Sequence, residues 1–217
     1  MMCIIDCNLG NLRNVQKAFE KLGEQVIISS RQDDIEKADA LILPGVGAFG
    51  DAMDTLRKMG LVDVIRKEVL EKKKPLLGIC LGMQLLAIDG YEKGYHQGLG
   101  LLPMSVQQLQ NEQNMPGFRL PHVGWNDITA RADEVLFEGL PSGANFYFVH
   151  SFHVRCMDNS IIAATCRYGQ EFAAAVHKDN IFATQFHPEK SQAYGFKVLL
   201  NFIKYVKSKK MENVHHA

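Results

Sequence analysis

The chain reads as an α/β protein: a single domain whose central, mostly parallel sheet is flanked by helices and extended by an additional antiparallel β section. Three observations predict this. Over the first two-fifths of the chain, short apolar runs alternate with stretches of helical periodicity, the pattern of βα units feeding a parallel sheet. After about residue 120, strand-like runs follow one another with only turns between them, which calls for antiparallel pairing. The 217 residues, 47% hydrophobic and 22% charged, suffice for one complete core, and neither a repeat nor a linker suggests a second.

The elements follow in order. Cys3-Ile4-Ile5 is a short buried strand. A helix opens at Asn11-Leu12, places Leu12, Val15, Phe19 and Leu22 on one face, and stops at Gly23. Val26-Ile27-Ile28 and Ala40-Leu41-Ile42-Leu43 are the next strands, the second halted by Pro44-Gly45. A long helical stretch turns Met53, Leu56, Val64, Ile65 and Leu70 to the core, with Gly60 dividing it in two. Pro75 to Ile79 is a strand running into Cys80, and a helix is expected from Leu81 to Ile88. Residues 91–120, rich in Gly, Gln, Asn and Pro, read as loop with short strands. Strands are then expected at His122–Thr129, Asn145–Val154, Ile161–Cys166, Phe172–His177 and Ile181–Phe186, with Lys178-Asp179-Asn180 as a hairpin turn. A closing helix from about Tyr194 to Val206 buries Phe196, Leu199, Leu200, Ile203 and Val206, and Lys204, Lys207, Lys209 and Lys210 suit the negative end of its dipole. The domain is expected to span residues 1–210, and 211–217 to fray.

Composition excludes several classes of function. Lys plus Arg and Asp plus Glu both number 24, so no broad basic field is available for nucleic acid or an anionic membrane. No apolar run approaches the ~18–20 residues that span a bilayer. The chain opens on a strand rather than a basic segment and apolar run, so a cytoplasmic protein without a signal peptide is expected. Five cysteines without a CxxC pair speak against a disulfide scaffold or zinc ribbon. Cys3, Cys7, Cys156 and Cys166 read as small buried hydrophobes. His96, His122, His153 and His177 show no metal-ligand spacing, and His215-His216 reads as part of a solvated tail. Neither a metal nor a cofactor is expected.

The sharpest local signal is Gly78-Ile79-Cys80-Leu81-Gly82, where a strand ends and a helix begins. This is a nucleophile-elbow layout with Cys in place of Ser. Small residues two before and two after the nucleophile let strand and helix approach, and the helix N-terminus favours thiolate over thiol. The bland alternative is a buried Cys in a glycine-rich turn. Next comes Phe186-His187-Pro188-Glu189, directly after a strand. A Cys nucleophile needs a base and the base needs an orienting acceptor; His187 and Glu189 supply both from one strand end. Alone, His187 would read as a loop-capping residue; beside Cys80 the triad reading prevails. Finally, Pro44-Gly45-Val46-Gly47 follows a strand, and its glycines free backbone N–H groups to face a developing oxyanion. A phosphate loop is the rival, but the spacing fits neither the dinucleotide nor the P-loop pattern.

Taken together, Pro44 to Gly47, Gly78 to Gln84 and His187-Pro188-Glu189 resemble the class I (triad) glutamine amidotransferase domain, in the right order and across almost the whole chain. Within that family, the run Asn8 to Val15, Pro44 to Phe49, His122-Val123-Gly124-Trp125-Asn126 and Tyr147 to Phe152 resemble the glutaminase subunits of imidazole glycerol phosphate synthases of histidine biosynthesis. The resemblance implies a flavodoxin-like class I amidotransferase fold. It implies Cys80 as nucleophile on the side-chain amide of L-glutamine, His187 as proton shuttle and Glu189 as its holder. It implies Gly45 and Gln84 among the substrate-binding residues, an oxyanion hole from the backbone around Gly47 and Leu81, and a seat for the substrate α-groups in the backbone of Ser151 and Phe152. It further implies ammonia transfer to a (βα)8-barrel cyclase/synthase subunit in a heterodimer, giving imidazole glycerol phosphate and the carboxamide ribotide AICAR.

Some residues keep a plainer reading. His150 shares a strand face with aromatics and reads as a core or site-lining histidine rather than the base; Trp125 reads as core or, by the resemblance, as part of the partner surface. Two departures concern the branch: residues 90–98 differ from the family run expected before Gly98-Leu99-Gly100, and His153 stands where an aromatic is common. A paralogous subunit feeding ammonia to a sugar-modifying synthase of surface polysaccharide formation stays open. So do two other classes. A cysteine hydrolase of the related peptidase/chaperone-like group tends to place His directly after the Cys, where this chain has Leu81; a non-catalytic binding module would have no need of an intact triad.

Overall fold

The computed structural model describes residues 1–8, 10 and 12–215, with side chains up to 212. Leu9 and Asn11, where the first helix was expected to open, and His216 and Ala217 lie outside the described residues. The first half runs β1 (Met2–Ile5), α1 (Leu12–Lys21), β2 (Val26–Ser29), α2 (Gln32–Lys37), β3 (Ala40–Gly45), α3 (Phe49–Lys58), α4 (Leu61–Arg66), β4 (Leu76–Cys80) and α5 (Leu81–Leu85). Short strands β5 (Asp89–Gly90) and β6 (His96–Gln97) and then β7 (Met104–Gln108) follow. The second half contributes β8 (His122–Asp127), β9 (Thr129–Ala130), β10 (Asn145–His150), β11 (Phe152–Cys156), β12 (Ile162–Tyr168), β13 (Gln170–Lys178), β14 (Ile181–Thr184) and the terminal helix α6 (Gln192–His215).

Eight strands form the main sheet in the order β2-β1-β3-β4-β14-β13-β12-β9. β2 through β14 run parallel, and β13, β12 and β9 continue antiparallel. The βαβ segments build the parallel part because each strand is apolar on both faces and needs cover on both. Alternation shows this residue by residue. Met2 and Ile4 of β1 and Ala40 and Ile42 of β3 pack with Leu12, Val15 and Phe19 of α1 and with Leu199, Phe202 and Ile203 of α6. Cys3 and Ile5, with Leu41 and Leu43, point the other way, onto Met53 and Leu56 of α3 and Ile65 of α4. Gly60, at φ 68°, separates α3 from α4 as expected.

Two smaller sheets complete the domain. β8 and β10 form an antiparallel ribbon, and β11-β7-β5-β6 form a four-stranded sheet. The structure differs here from the strand expected over Asn145–Val154. The chain leaves the ribbon at His150 and enters the other sheet at Phe152, so Ser151 is a turn between sheets. The helix expected to reach Ile88 ends at Leu85, because Leu86 and Ala87 leave helical pairing and lend their carbonyls to the amides of Leu101, Leu102 and Gly100. α2 was not anticipated: only Ile35 in its six residues is buried, too little for a periodic signal. α6 continues beyond Val206 through His215. Among the described residues, no helix is long and apolar enough to cross a membrane.

Candidate active site

Cys80 ends β4, a central strand flanked by β3 and β14, and caps the N-terminus of α5. Its backbone sits at φ 55°, ψ −109°, outside the regions an L-residue ordinarily occupies, and the flanking glycines explain how the turn is made. A Cβ at Gly82 would lie 1.6 Å from the Leu43 carbonyl oxygen, and one at Gly78 would lie 3.0 Å from the Gly82 oxygen. Strand and helix therefore meet at backbone distance, which holds the thiol at the sheet edge.

The sulfur makes two weak contacts: it lies 3.8 Å from the Val149 carbonyl oxygen and 3.8 Å from Gln185 Nε2. His187 follows β14, the neighbouring strand, and begins a short helical turn at Pro188–Lys190. Its backbone is pinned from several sides. Its amide donates to the Tyr147 carbonyl, and its carbonyl accepts from Ser191 Oγ at 2.7 Å. The imidazole Nδ1 bonds Glu189 Oε1 at 2.8 Å, and both side chains are buried. The other ring nitrogen, Nε2, is buried without a hydrogen-bond partner. Burial alone would push the His187 pKa down; Cys80 and Glu189 beside it outweigh that and raise it to about 9. His187 leaves β14 beside the strand that ends at Cys80, and its Nε2 is the ring atom left open toward a reacting group. Catalytic hydrogen bonds commonly tighten only when substrate fills the site.

A cavity of about 260 Å³ opens on the thiol, lined by Val46, Gly47, Cys80, Leu81, Gln84, Glu92, Pro121, Val149, His150, Ser151 and Phe152. Of the residues expected at the substrate, Gly47, Leu81, Gln84, Ser151 and Phe152 line it. Gly45 stands behind the wall, paired in register with Cys80 and packed so closely on Leu81 that a Cβ would lie 3.2 Å from that side chain. His187 and Glu189 also stand behind the wall. Leu81 carries the first N–H of α5, which has no carbonyl four residues back to bond. Gln84 is held by two bonds from Nε2, to the Phe152 carbonyl at 2.9 Å and to Gln185 Oε1 at 3.1 Å. Gly47 lies at φ 108°, a conformation other residues rarely adopt.

Sequence reading missed Glu92 and Gln185. Glu92 sits in the segment that departs from the family run; its Oε2 accepts the Phe49 amide at 2.8 Å, capping α3, and its carboxylate faces the cavity. Only the chain's path through β5 and β6 brings it there. Gln185 carried a faint signal as a polar residue between an apolar strand and Phe186. His150 is both core and site-lining, as read. Trp125 is half-exposed rather than core, edge-on to Tyr147 across the β8–β10 ribbon with centroids 6.1 Å apart. Burial raises the thiol pKa of Cys3 to about 11 and of Cys156 and Cys166 to about 12, although Cys156 is only half-buried by surface.

Fold and site together define a class, and comparison with known proteins bears on it. A model of the glutamine amidotransferase class-I family matches residues 3–205, and the chain belongs to that family. Among curated relatives, it is 46% identical over 204 residues to imidazole glycerol phosphate synthase subunit HisH 1 of Campylobacter jejuni (strain RM1221), covering 94% of this chain and 100% of that one. It is 48% identical over 204 residues to imidazole glycerol phosphate synthase subunit HisH of Syntrophotalea carbinolica, covering 93% and 98%. Among solved structures, PurLQS from Thermotoga maritima has a chain that matches with TM-score 0.74 at 21% identity, over 94% of this chain and 98% of that one; a likeness at that identity speaks for the fold.

Proposed function

We propose that this chain is the glutaminase subunit of imidazole glycerol phosphate synthase in histidine biosynthesis. It hydrolyses L-glutamine to glutamate and ammonia and passes the ammonia to a (βα)8-barrel cyclase/synthase subunit, which makes imidazole glycerol phosphate and AICAR. The observation that carries the reading is Cys80 on a strained strand-to-helix turn opening on the cavity, with the His187–Glu189 pair leaving the neighbouring strand. The relatives named above support the histidine branch over the polysaccharide paralogue. We place the chain in the cytoplasm with that reading.

The chemistry follows from the geometry. The Cys80 thiolate attacks the side-chain amide carbon, and the oxyanion forms opposite the backbone N–H groups of Leu81 and of the Gly45–Gly47 loop. His187, a cation with Glu189 behind it, gives its Nε2 proton to the leaving nitrogen; the C–N bond breaks, ammonia departs and a thioester remains. His187, now neutral, takes a proton from water as the oxygen attacks the thioester, and collapse of the second intermediate releases glutamate and regenerates the thiolate. Gln84 and the Ser151–Phe152 backbone orient the substrate, and the Glu92 carboxylate complements its α-ammonium group. The partner docks on the exposed face of the β8–β10 ribbon, where Val123 and Trp125 are solvent-exposed and Lys190, beside Glu189, lies 5.8 Å over the Tyr147 ring.

The test is reconstitution with the synthase. Cys80→Ala is expected to abolish glutamine-driven synthesis and leave ammonia-driven synthesis intact; persistent glutamine use would remove Cys80 as nucleophile. The wild-type chain alone is expected to be a poor glutaminase, because the Pro44–Gly47 loop needs the docked partner to aim its N–H at the oxyanion. Full activity without a partner would refute that.

A further inference from the structure

We propose that Gln185 is a positioning residue for the nucleophile: its side-chain amide, held in one orientation by a buried column of hydrogen bonds anchored on backbone carbonyls, donates to the Cys80 sulfur. The inference rests on the reading of Cys80 given above. Gln185 is fully buried at the end of β14, with Nε2 3.8 Å from Cys80 Sγ. Its other amide atom, Oε1, accepts from Gln84 Nε2 at 3.1 Å.

An amide can be turned over, exchanging donor and acceptor, unless its partners forbid it. Here they do. Gln84 Nε2 also donates to the Phe152 carbonyl, which can only accept, so Gln84 has one orientation. A turned Gln185 would set its NH2 against that of Gln84 and its oxygen against the sulfur. The same carbonyl receives a second donor, His150 Nδ1 at 2.8 Å. His150 Nε2 is therefore an acceptor, and His122 Nδ1 donates to it at 3.0 Å. His122 Nε2 in turn faces Asn126 Nδ2 at 3.5 Å, whose orientation is fixed by donation to the Arg167 carbonyl at 2.9 Å. Two backbone carbonyls thus set every donor between Asn126 and the sulfur. Both imidazoles must be neutral with the proton on Nδ1, and burial, which lowers His122 to about 4 and His150 to about 3, keeps them so.

A donor aimed at a group that ionises binds the ion more tightly than the neutral form. Gln185 accordingly favours the thiolate and fixes where it stands. The titratable groups facing the same sulfur are His187 with Glu189 behind it, and Glu92 and His150 on the cavity wall.

The experiment follows the pH dependence of Cys80 alkylation by iodoacetamide in the full chain, with Cys80→Ala identifying the signal, and the glutamine kinetics of the partner complex. Gln185→Met keeps the shape and removes the donor. It is expected to raise the alkylation midpoint by about one pH unit and lower kcat about tenfold, with KM changed less than about twofold. Gln185→Glu is expected to move both further in the same direction. A merely structural role would lower thermal stability without moving the alkylation midpoint. A second measurement needs no variant at Gln185: the ¹⁵N shifts of His122 and His150 in the wild-type chain are expected to report neutral Nδ1–H rings that do not titrate between about pH 5.5 and about 8. Either ring carrying its proton on Nε2, or titrating in that range, overturns the histidine branch of the column, while the Gln185→Met arm decides the Gln185 role. A wild-type midpoint and kcat in Gln185→Met, with Cys80→Ala inactive, overturns this inference alone; glutamine turnover by Cys80→Ala overturns the reading beneath it.

Discussion

The two glycine turns that flank the cavity use glycine for opposite reasons. At Gly78 and Gly82 the requirement is space: a Cβ would collide with the backbone of the adjoining strand or helix. At Gly47 nothing lies within 4 Å of where a Cβ would sit, yet φ is 108°, so the requirement is conformation. The nucleophile's turn is determined by everything around it. The Pro44–Gly47 loop is held at Gly45 by sheet pairing, and beyond it Val46 is exposed. On the reading proposed above, the site joins a rigid half that places the sulfur to an adaptable half that a partner re-aims.

The strongest way to break this comparison is Gly82→Ala. With a Cβ 1.6 Å from the buried Leu43 carbonyl oxygen, β3 and α5 must separate, and a destabilisation above about 4 kcal/mol is expected, read as loss of folded chain in thermal or urea melts. Gly47→Ala is expected to leave the fold in place, at a strain cost of roughly 1–2 kcal/mol, while kcat of the complex falls about 10²-fold through a mis-aimed oxyanion donor. Equal loss of stability in the two variants would mean that both turns are packing-limited. Trp125→Ala tests the adaptable side from outside: stability within about 0.5 kcal/mol of wild type, and partner affinity weaker by about 2 kcal/mol in titration calorimetry.

A separate set of effects lies in the pH dependence of stability. The folded chain holds the His187 proton up to about 9, against an ordinary 6.5. That contribution is full below about pH 6.5 and is lost as pH rises through about 9. His122 and His150, lowered to about 4 and about 3, act in the opposite sense: theirs is full above about pH 6.5 and is lost as pH falls through those values. Urea melts across this range are expected to show both flanks, and His187→Asn is expected to flatten the alkaline one alone.

Much of the rigid half was legible in the sequence because it depends on neighbours in the chain. The strand before Cys80, the helix after it and the small residues at 78 and 82 are a local pattern, as is His187 two residues from Glu189. Less was legible where the fold brings distant segments together. Nothing adjacent to Glu92 announces a carboxylate in the cavity, since its position depends on β5 pairing with both β6 and β7. The apolar run through Asn145–Val154 reads as one strand because the alternation barely falters at Ser151; only pairing with different partners, β8 before and β7 after, reveals the turn. α5 stops at Leu85 because Leu86 and Ala87 are claimed by residues 100–102, a tertiary demand that overrides helical periodicity.

That turn at Ser151 has a consequence for cooperativity. The cavity lies on a seam where the main sheet supplies Cys80, the ribbon ends at His150 and the third sheet starts at Phe152. A ligand covalently held on the sulfur and seated against the 151–152 backbone therefore rivets three separately hydrogen-bonded layers. Amide exchange is expected to slow across all of them at once when an irreversible glutamine analogue is attached.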